Sequence, residues 1–449
     1  MSLRSFPVNA ADTAWLRMEE PTNPMTITGV IGFDGPMPLA SMRRFMQERL
    51  VPFDRFRMRV DTTGRRAMWV PDERFDVAHH VVETALPAPG GKDGLQRLVG
   101  RLMSEPVDLT RTPWTIHLVP DAGEGRSAAI IRLHHVIGDG IALMHVLISA
   151  SDESYDPAKA TPRPRGERRP LTARVRKTLR GAAGETFELL THPKRLGRRV
   201  VAAGSISHAL GALLLMRPDS PTVFKGHATP EKRAAWTGPL ALDRIKAIGR
   251  ATGAKVNDVL MAVAAGALRG YLLDLGHPVR DVEVRVATPF NVRPLDRAHE
   301  LGNSFGLAFV ALPISEASAA TRLREVQARM NAVKDSFEPA VTYGILQSIG
   351  AAPRWAHRQV VEMFAQKASA VLTNVPGPTE PIHLEGVGIE TLMFWVPQAG
   401  DIGLGISILS LDGTVRVGIA ADAAYVPDPA HLAEAFSVEI DLLSDALTG

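Results

Sequence analysis

Two adjacent histidines, a glycine turn and an aspartate fall within seven residues, His134-His135-Val136-Ile137-Gly138-Asp139-Gly140. An imidazole titrates near neutrality, so it can take a proton from a hydroxyl as that hydroxyl attacks and return it to a leaving group. Ser127 to Leu133, rich in β-branched and apolar residues, reads as a strand, and Ile141 to Ile148 reads as a helix. The motif therefore sits on a strand-to-helix connection. Gly138 and Gly140 relax the turn enough to bring Asp139 beneath an imidazole as its orienter. Neighbouring strand residues point to opposite faces, so one histidine is expected to be the base and the other a structural partner. His135, nearer the glycine turn, is the expected base.

Other chemistries fit less well. A metal site would need more than His134, His135 and Asp139, because neighbouring strand residues diverge and no second ligand cluster completes the set; His79-His80 has only Asp76 nearby. No metal is expected. Gly302-Asn303-Ser304-Phe305-Gly306 matches the nucleophile elbow of serine hydrolases. That elbow needs a strand before it and a helix after it, whereas here polar Arg297-Ala298-His299-Glu300 precedes and strand-like Leu307 to Leu312 follows.

The chain has 449 residues and 45% hydrophobic content, enough for two or three domains with real cores. No apolar run reaches the ~18 residues of a membrane span. Met1 to Pro7 carries no signal-peptide core, and a cytoplasmic location is expected. The absence of cysteine excludes disulfides and thiolate catalysis. A net charge of +3 and the lack of any recognised motif give no case for nucleic acid.

Stepping along the chain, periodicity predicts helices at 12–19, 39–50, 94–103, 240–249, 255–269, 319–334 and 429–447. Strands are predicted near 24–33, 66–70, 282–287, 307–312, 370–373, 391–396, 405–410 and 415–420, with the segments 75–81 and 114–119 leading toward the histidine motif. Each half mixes strands and helices, as in two packed α/β layers. Between them, Thr161 to Arg199 concentrates twelve basic residues against Glu167, Glu185 and Glu188. This is either a solvated connector or a peripheral anchor for anionic lipid, with Leu210 to Met216 adding an apolar patch.

The pattern His-His-x-x-x-Asp-Gly resembles the signature of CoA-dependent acyltransferases and peptide-synthetase condensation domains. Four further stretches narrow the resemblance to the bifunctional wax ester synthase/diacylglycerol acyltransferase family. They are Glu19-Glu20-Pro21-Thr22-Asn23-Pro24-Met25; Lys255-Val256-Asn257-Asp258-Val259-Leu260; Pro289-Phe290-Asn291-Val292-Arg293-Pro294 with Leu301-Gly302-Asn303; and Thr373-Asn374-Val375-Pro376-Gly377-Pro378. They occur in the family's order and span nearly the whole chain. Two departures stand out: Arg111-Thr112-Pro113-Trp114 replaces the usual Arg-Pro-Leu-Trp, and Gly138 replaces a larger residue.

The resemblance implies a mixed α/β fold of two chloramphenicol-acetyltransferase-like domains with the active-site tunnel between them. The N-terminal domain would occupy 1–160, a basic connector 161–225 and the C-terminal domain 226–449. His135 would deprotonate a diacylglycerol or long-chain alcohol, which attacks the acyl-CoA thioester to give triacylglycerol or wax ester with no acyl-enzyme. Acyl-CoA is a co-substrate and no cofactor is implied. His134, Asp139 and Gly140 would hold the site in shape. Asn257, opening a helix, would support the site or the oxyanion, or else act as an ordinary N-cap. Asp258 would assist it or compensate the helix dipole; Arg293 would pair with Asp139 or be a surface charge; Asn374 would contact substrate or belong to a rigid turn. The implied partners are acyl-CoA, a lipid hydroxyl acceptor and a peripheral contact with membrane or lipid inclusions. A condensation-type enzyme using a carrier-protein donor, and a non-catalytic lipid-binding protein of the same fold, remain the alternatives.

Overall fold

Thr26–Phe33 and Arg126–His134, both buried on the two faces, pair antiparallel with Thr26 opposite His134 at the core of the N-terminal sheet. The computed structural model describes residues 3–154, 211–292 and 301–448. The basic stretch 161–199, most of the expected connector 161–225, and Arg293 lie outside the described residues.

The N-terminal sheet runs, in space, His383–Leu384, Val387–Trp395, Thr26–Phe33, Arg126–His134, Trp114–Gly123, Val81–Glu83. Its first two strands come from the C-terminal half. Val387–Trp395 pairs antiparallel with Thr26–Phe33, setting Trp395 beside Thr28. The second large sheet runs Phe305–Leu312, Val284–Asn291, Ala370–Val375, Leu404–Leu411, Thr414–Asp422, Lys232–Trp236, with Leu240–Ala241 alongside Thr414–Asp422. A small sheet of Phe6–Pro7, Met68–Pro71 and Met58–Asp61 flanks the N-terminal half.

The Val256–Asp274 helix is long and apolar enough to cross a membrane, yet most of it is buried in the C-terminal core. Its run of Ala262, Ala264, Ala265, Gly266 and Ala267 keeps the helix narrow enough to lie between the sheet and its neighbours. A further cluster joins the halves directly, with Val30 and Leu98 packed among Ala234, Trp236, Met393, Trp395 and Ala420.

Most expected elements are present, and others were not expected. The segment 75–81 divides: Asp76 accepts the Ala78 amide and caps a single turn at Val77–His80, and a strand begins at Val81. The strand Lys232–Trp236 was not expected. Nor were the helices Glu338–Ala351 and Arg354–Ala365, the first started by Pro339 near its N-terminus and the second preceded by Pro353.

The Glu338–Ala351 helix lies hard against Ala10–Met18. A β-carbon on Gly350 would stand 1.8 Å from the Ala10 carbonyl oxygen. Glycine to alanine at an exposed helix position stabilises by up to ~1 kcal/mol. Here Gly350→Ala is expected to destabilise instead, by about 1–3 kcal/mol, because backbone must move; chemical denaturation of the two proteins reads the sign.

Candidate active site

The backbone fixes both histidines before their side chains make any contact. The His134 amide donates to the Pro113 carbonyl at 3.0 Å and the His135 amide to the Met25 carbonyl at 2.7 Å. Pro113 thus acts through its carbonyl, a role the displaced proline does not disturb. His134 is fully buried, and its Nδ1 accepts the Val136 N–H at 3.0 Å, so Nε2 carries the hydrogen. That Nε2 faces Glu19 Oε2 at 3.4 Å but is not aligned for a hydrogen bond.

His135 leaves the strand and turns to the opposite environment. Only 1% exposed, its ring lies parallel to Trp15, centroids 4.1 Å and planes 6° apart, with Phe305 tilted at 5.9 Å. Nδ1 is buried without a hydrogen-bond partner. Burial drives the imidazole pKa down to about 4, against smaller opposing effects from its own backbone, the Asp139 charge and Asn303. The ring is therefore neutral at pH 7, the form a general base requires.

Asp139 does not orient that imidazole through Nδ1. Its Oδ1 accepts the Ala142 amide at 2.9 Å, capping the Gly140–Ala150 helix, and its Oδ2 accepts the Ser304 amide at 3.0 Å. The Asp139 amide in turn donates to the Gly302 carbonyl at 3.3 Å. Capping wins because a helix N-terminus leaves amides needing acceptors, and the carboxylate lies directly before them.

The motif loop is held from beneath by groups with no sequence proximity to it. Arg55 Nη1 donates to the Val136 and Ile137 carbonyls, both at 2.8 Å, and pairs with Asp12 Oδ2 at 2.9 Å. Asp12 Oδ1 accepts from the Asn303 backbone amide at 3.0 Å and side-chain Nδ2 at 2.9 Å, and the same Nδ2 reaches the His135 carbonyl at 2.8 Å. Gly302 makes this possible with φ of +119°, a conformation other residues rarely adopt. Gly302-Asn303-Ser304, which mimics a nucleophile elbow in sequence, is thus a clasp on the histidine loop. Asp12, Arg55, Trp15 and Asn303 were missed as site residues; the Glu19–Met25 stretch signalled itself by resemblance alone.

His135, Asp139 and Gly140 line one end of a cavity with about 160 Å³ of space open to water-sized groups. Its other walls are largely apolar, including Phe309, Ile345, Leu346, Ile349, Val361 and Phe364, many of them on the two unexpected helices. Asn374 lines it too, and its Nδ2 donates to Asn257 Oδ1 at 2.8 Å. Two candidates far apart in sequence are thereby joined. Asn257 is not the N-cap, which is Lys255. Asp258 is the capping-box residue, accepting the Lys255 amide at 3.1 Å and standing 3.3 Å from Lys334 Nζ, away from the cavity lining.

A buried histidine thus opens on an apolar cavity in a mixed α/β fold. The profile of the wax ester synthase/diacylglycerol acyltransferase catalytic domain matches residues 8–260 and that of the family's C-terminal domain matches residues 301–444. The chain belongs to that family. It is 26% identical over 96% of its length to a candidate diacylglycerol O-acyltransferase of Mycobacterium tuberculosis, covering 88% of that protein. A Mycobacterium bovis counterpart is 27% identical, with 83% of this chain and 84% of that one aligned. The fold is similar to the wax ester synthase/diacylglycerol acyltransferase from Marinobacter aquaeolei VT8, with TM-score 0.71 and 20% identity over 99% of this chain and 100% of that one. The first condensation domain of the CDA synthetase has TM-score 0.61 and 16% identity over 99% of this chain and 96% of its own.

Removing the cation from the clasp leaves Asp12 a buried carboxylate without its counter-charge. Arg55→Met is expected to cost about 3–5 kcal/mol of stability, read by denaturant titration. The His135 imidazole sets a second expectation. Its folded pKa of about 4 lies below the unfolded 6.5, so its contribution to stability is complete above pH 6.5 and is lost as pH falls toward 4. Burial lowers His117 to about 4 and shifts His80 and His357 in the same direction. While the protein stays folded by circular dichroism, the acid limb of kcat/KM should fall below pH 5 and not at 6.5.

Proposed function

We propose that this protein transfers a long-chain acyl group from acyl-CoA to the hydroxyl of a diacylglycerol or long-chain alcohol, giving triacylglycerol or wax ester. The observation that carries this reading is His135, kept neutral by burial at the end of a large apolar cavity. The acceptor hydroxyl approaches His135, gives up its proton to the imidazole and attacks the thioester carbonyl. As the tetrahedral intermediate collapses, the imidazolium returns the proton to the departing thiolate. The protein forms no covalent intermediate and needs no resident cofactor. Asn374 uses one N–H on Asn257 and keeps a second for the developing oxyanion. Asp139 and Gly140 shape the site without taking part in proton transfer. Apolar walls exclude water that would otherwise hydrolyse the thioester.

We place the enzyme in the cytoplasm, in peripheral contact with a membrane or lipid inclusion that supplies the acceptor. Leu215, 84% exposed, and Trp355, 68% exposed, support such contact. The family membership favours free acyl-CoA over a carrier-protein donor, and the neutral His135 favours catalysis over lipid binding alone.

Thiol release from palmitoyl-CoA, with hexadecanol, dipalmitoylglycerol or no acceptor, tests the reading. Acceptor-dependent release should fall at least ~100-fold in a folded His135→Ala variant, the lower end of what a positioned general base contributes. Release that survives the substitution, or none from the wild type with either acceptor, would sink it.

A further inference from the structure

In the reaction proposed above, His135 carries a positive charge from the moment it takes the acceptor's proton until the thiolate leaves. Where a histidine does this in a Ser-His-Asp triad, a carboxylate at the other ring nitrogen meets the charge. His135 has no such arrangement: its Nδ1 is buried without a hydrogen-bond partner among the described residues. The carboxylates of this region are engaged elsewhere. Asp139 accepts from the Ala142 and Ser304 amides, Asp12 is paired with Arg55, and Glu19 faces His134. The Asp139 charge favours a charged His135 ring and His134 opposes it, each by less than burial disfavours it.

What does face the ring is the π system of Trp15. The two planes lie 6° from parallel with centroids 4.1 Å apart, inside the ~6 Å within which an indole quadrupole attracts a cation over its face. Tryptophan is the strongest of the aromatic side chains in this role, and the attraction grows where water is excluded. Both residues are more than nine-tenths buried. Trp15 packs with Met25 and Phe305 in one apolar cluster, so little else near the stack can screen the charge.

The stack is made at the expense of a hydrogen bond. A buried indole N–H ordinarily finds an acceptor. That of Trp15 is buried and has none among the described residues, so the ring sits where its face meets His135 and not where its N–H could bond. The helix Ala10–Met18 holds it there: Asp12, one turn earlier on this helix, is tied to Arg55 and Asn303, the same groups that hold the histidine loop. One framework thus positions base and indole together, and both line the catalytic cavity.

We infer that Trp15 is the electrostatic partner of the base: its indole face stabilises the His135 imidazolium while the acceptor's proton resides on it, the task a carboxylate performs in a triad. A quadrupole suits a base that must rest neutral. A buried carboxylate against the ring would draw it toward the protonated form before substrate arrives, whereas the π face acts more weakly and at short range. The inference rests on the acyl-transfer reading above. Trp15 touches no reacting bond and acts through His135, which makes it a positioning residue whose contribution appears in kcat.

Fluorine withdraws electron density from an indole face with little change in its shape, so mono-, di- and trifluorotryptophan placed at position 15 grade the interaction. With palmitoyl-CoA and either hexadecanol or dipalmitoylglycerol, kcat should fall stepwise along the series, by about tenfold in all, while KM and the thermal midpoint hold. Trp15→Phe, which keeps a poorer π face, should lose less in kcat than Trp15→Leu, which has none. Equal kcat along the fluorinated series, or losses that follow the thermal midpoint and not the fluorine count, overturn the assignment. Titration of the His135 ring, followed by NMR of isotope-labelled histidine and assigned with His135→Ala, reads the same interaction without turnover. Its midpoint should drop along the series by about one pH unit, the equivalent of tenfold. An unchanged midpoint overturns the inference even in an active enzyme. A falling midpoint in a wild type that transfers no acyl group sustains the Trp15–His135 interaction while the acyl-transfer reading fails.

Discussion

The histidine loop keeps its shape because a buried ion pair sits beneath it. Asp12 and Arg55 neutralise each other out of water; Asp12 also accepts from Asn9 and Asn303, and Arg55 donates to the carbonyls of Val136 and Ile137. Such pairs return little net stability against an apolar replacement of the same volume, because two ions had to be desolvated. What this one supplies is geometry. Carbonyls that would otherwise turn to solvent are pointed inward, and that leaves the rings of His134 and His135 on opposite sides of a fixed strand end.

With the loop fixed, the two imidazoles are tuned separately. His134 spends Nδ1 on a backbone amide and faces a glutamate, a polar environment in which it serves as framework. His135 is stacked on Trp15 and gains no hydrogen bond at Nδ1, so burial dominates and its charged form is disfavoured. An aromatic face, and not a carboxylate, thereby sets the plane of the base. The consequence is a base that is weak in water but stays unprotonated near neutrality, in a cavity where a hydroxyl proton has few other places to go.

Much of this was legible in the sequence, and the illegible parts have physical causes. The strand and the helix follow from apolar composition and turn chemistry, since Arg126–His134 is buried on both faces and Gly140–Ala150 is apolar nearly all round. The helix Glu338–Ala351 carries no clear apolar stripe: Ile345, Leu346 and Ile349 face an open cavity as well as packed core, so its apolar residues spread around it. Asp12 and Arg55 leave no local signal, and Asn303 stood out only as part of the Leu301-Gly302-Asn303 stretch; each lies on a different segment and only the tertiary fold joins them. Asn257 and Asn374 were visible one at a time, through resemblance, while the bond between them was not. The Asp139 carboxylate was assigned to the imidazole by proximity, and helix amides, closer still, claimed it.

The strand Val387–Trp395, lent by the C-terminal half to the N-terminal sheet, bears on how the chain reaches this state. Thr28 and Trp395 are partners across 367 positions. During synthesis, Thr26–Phe33 waits as a bare edge, its amides and carbonyls able to pair with any passing strand until the last quarter of the protein emerges. Contacts of such separation are slow to form, and partly assembled species that expose an edge are prone to aggregate. Expressing the first half alone would therefore yield a sheet lacking an inner strand, and the apolar seam that depends on that strand would be missing with it.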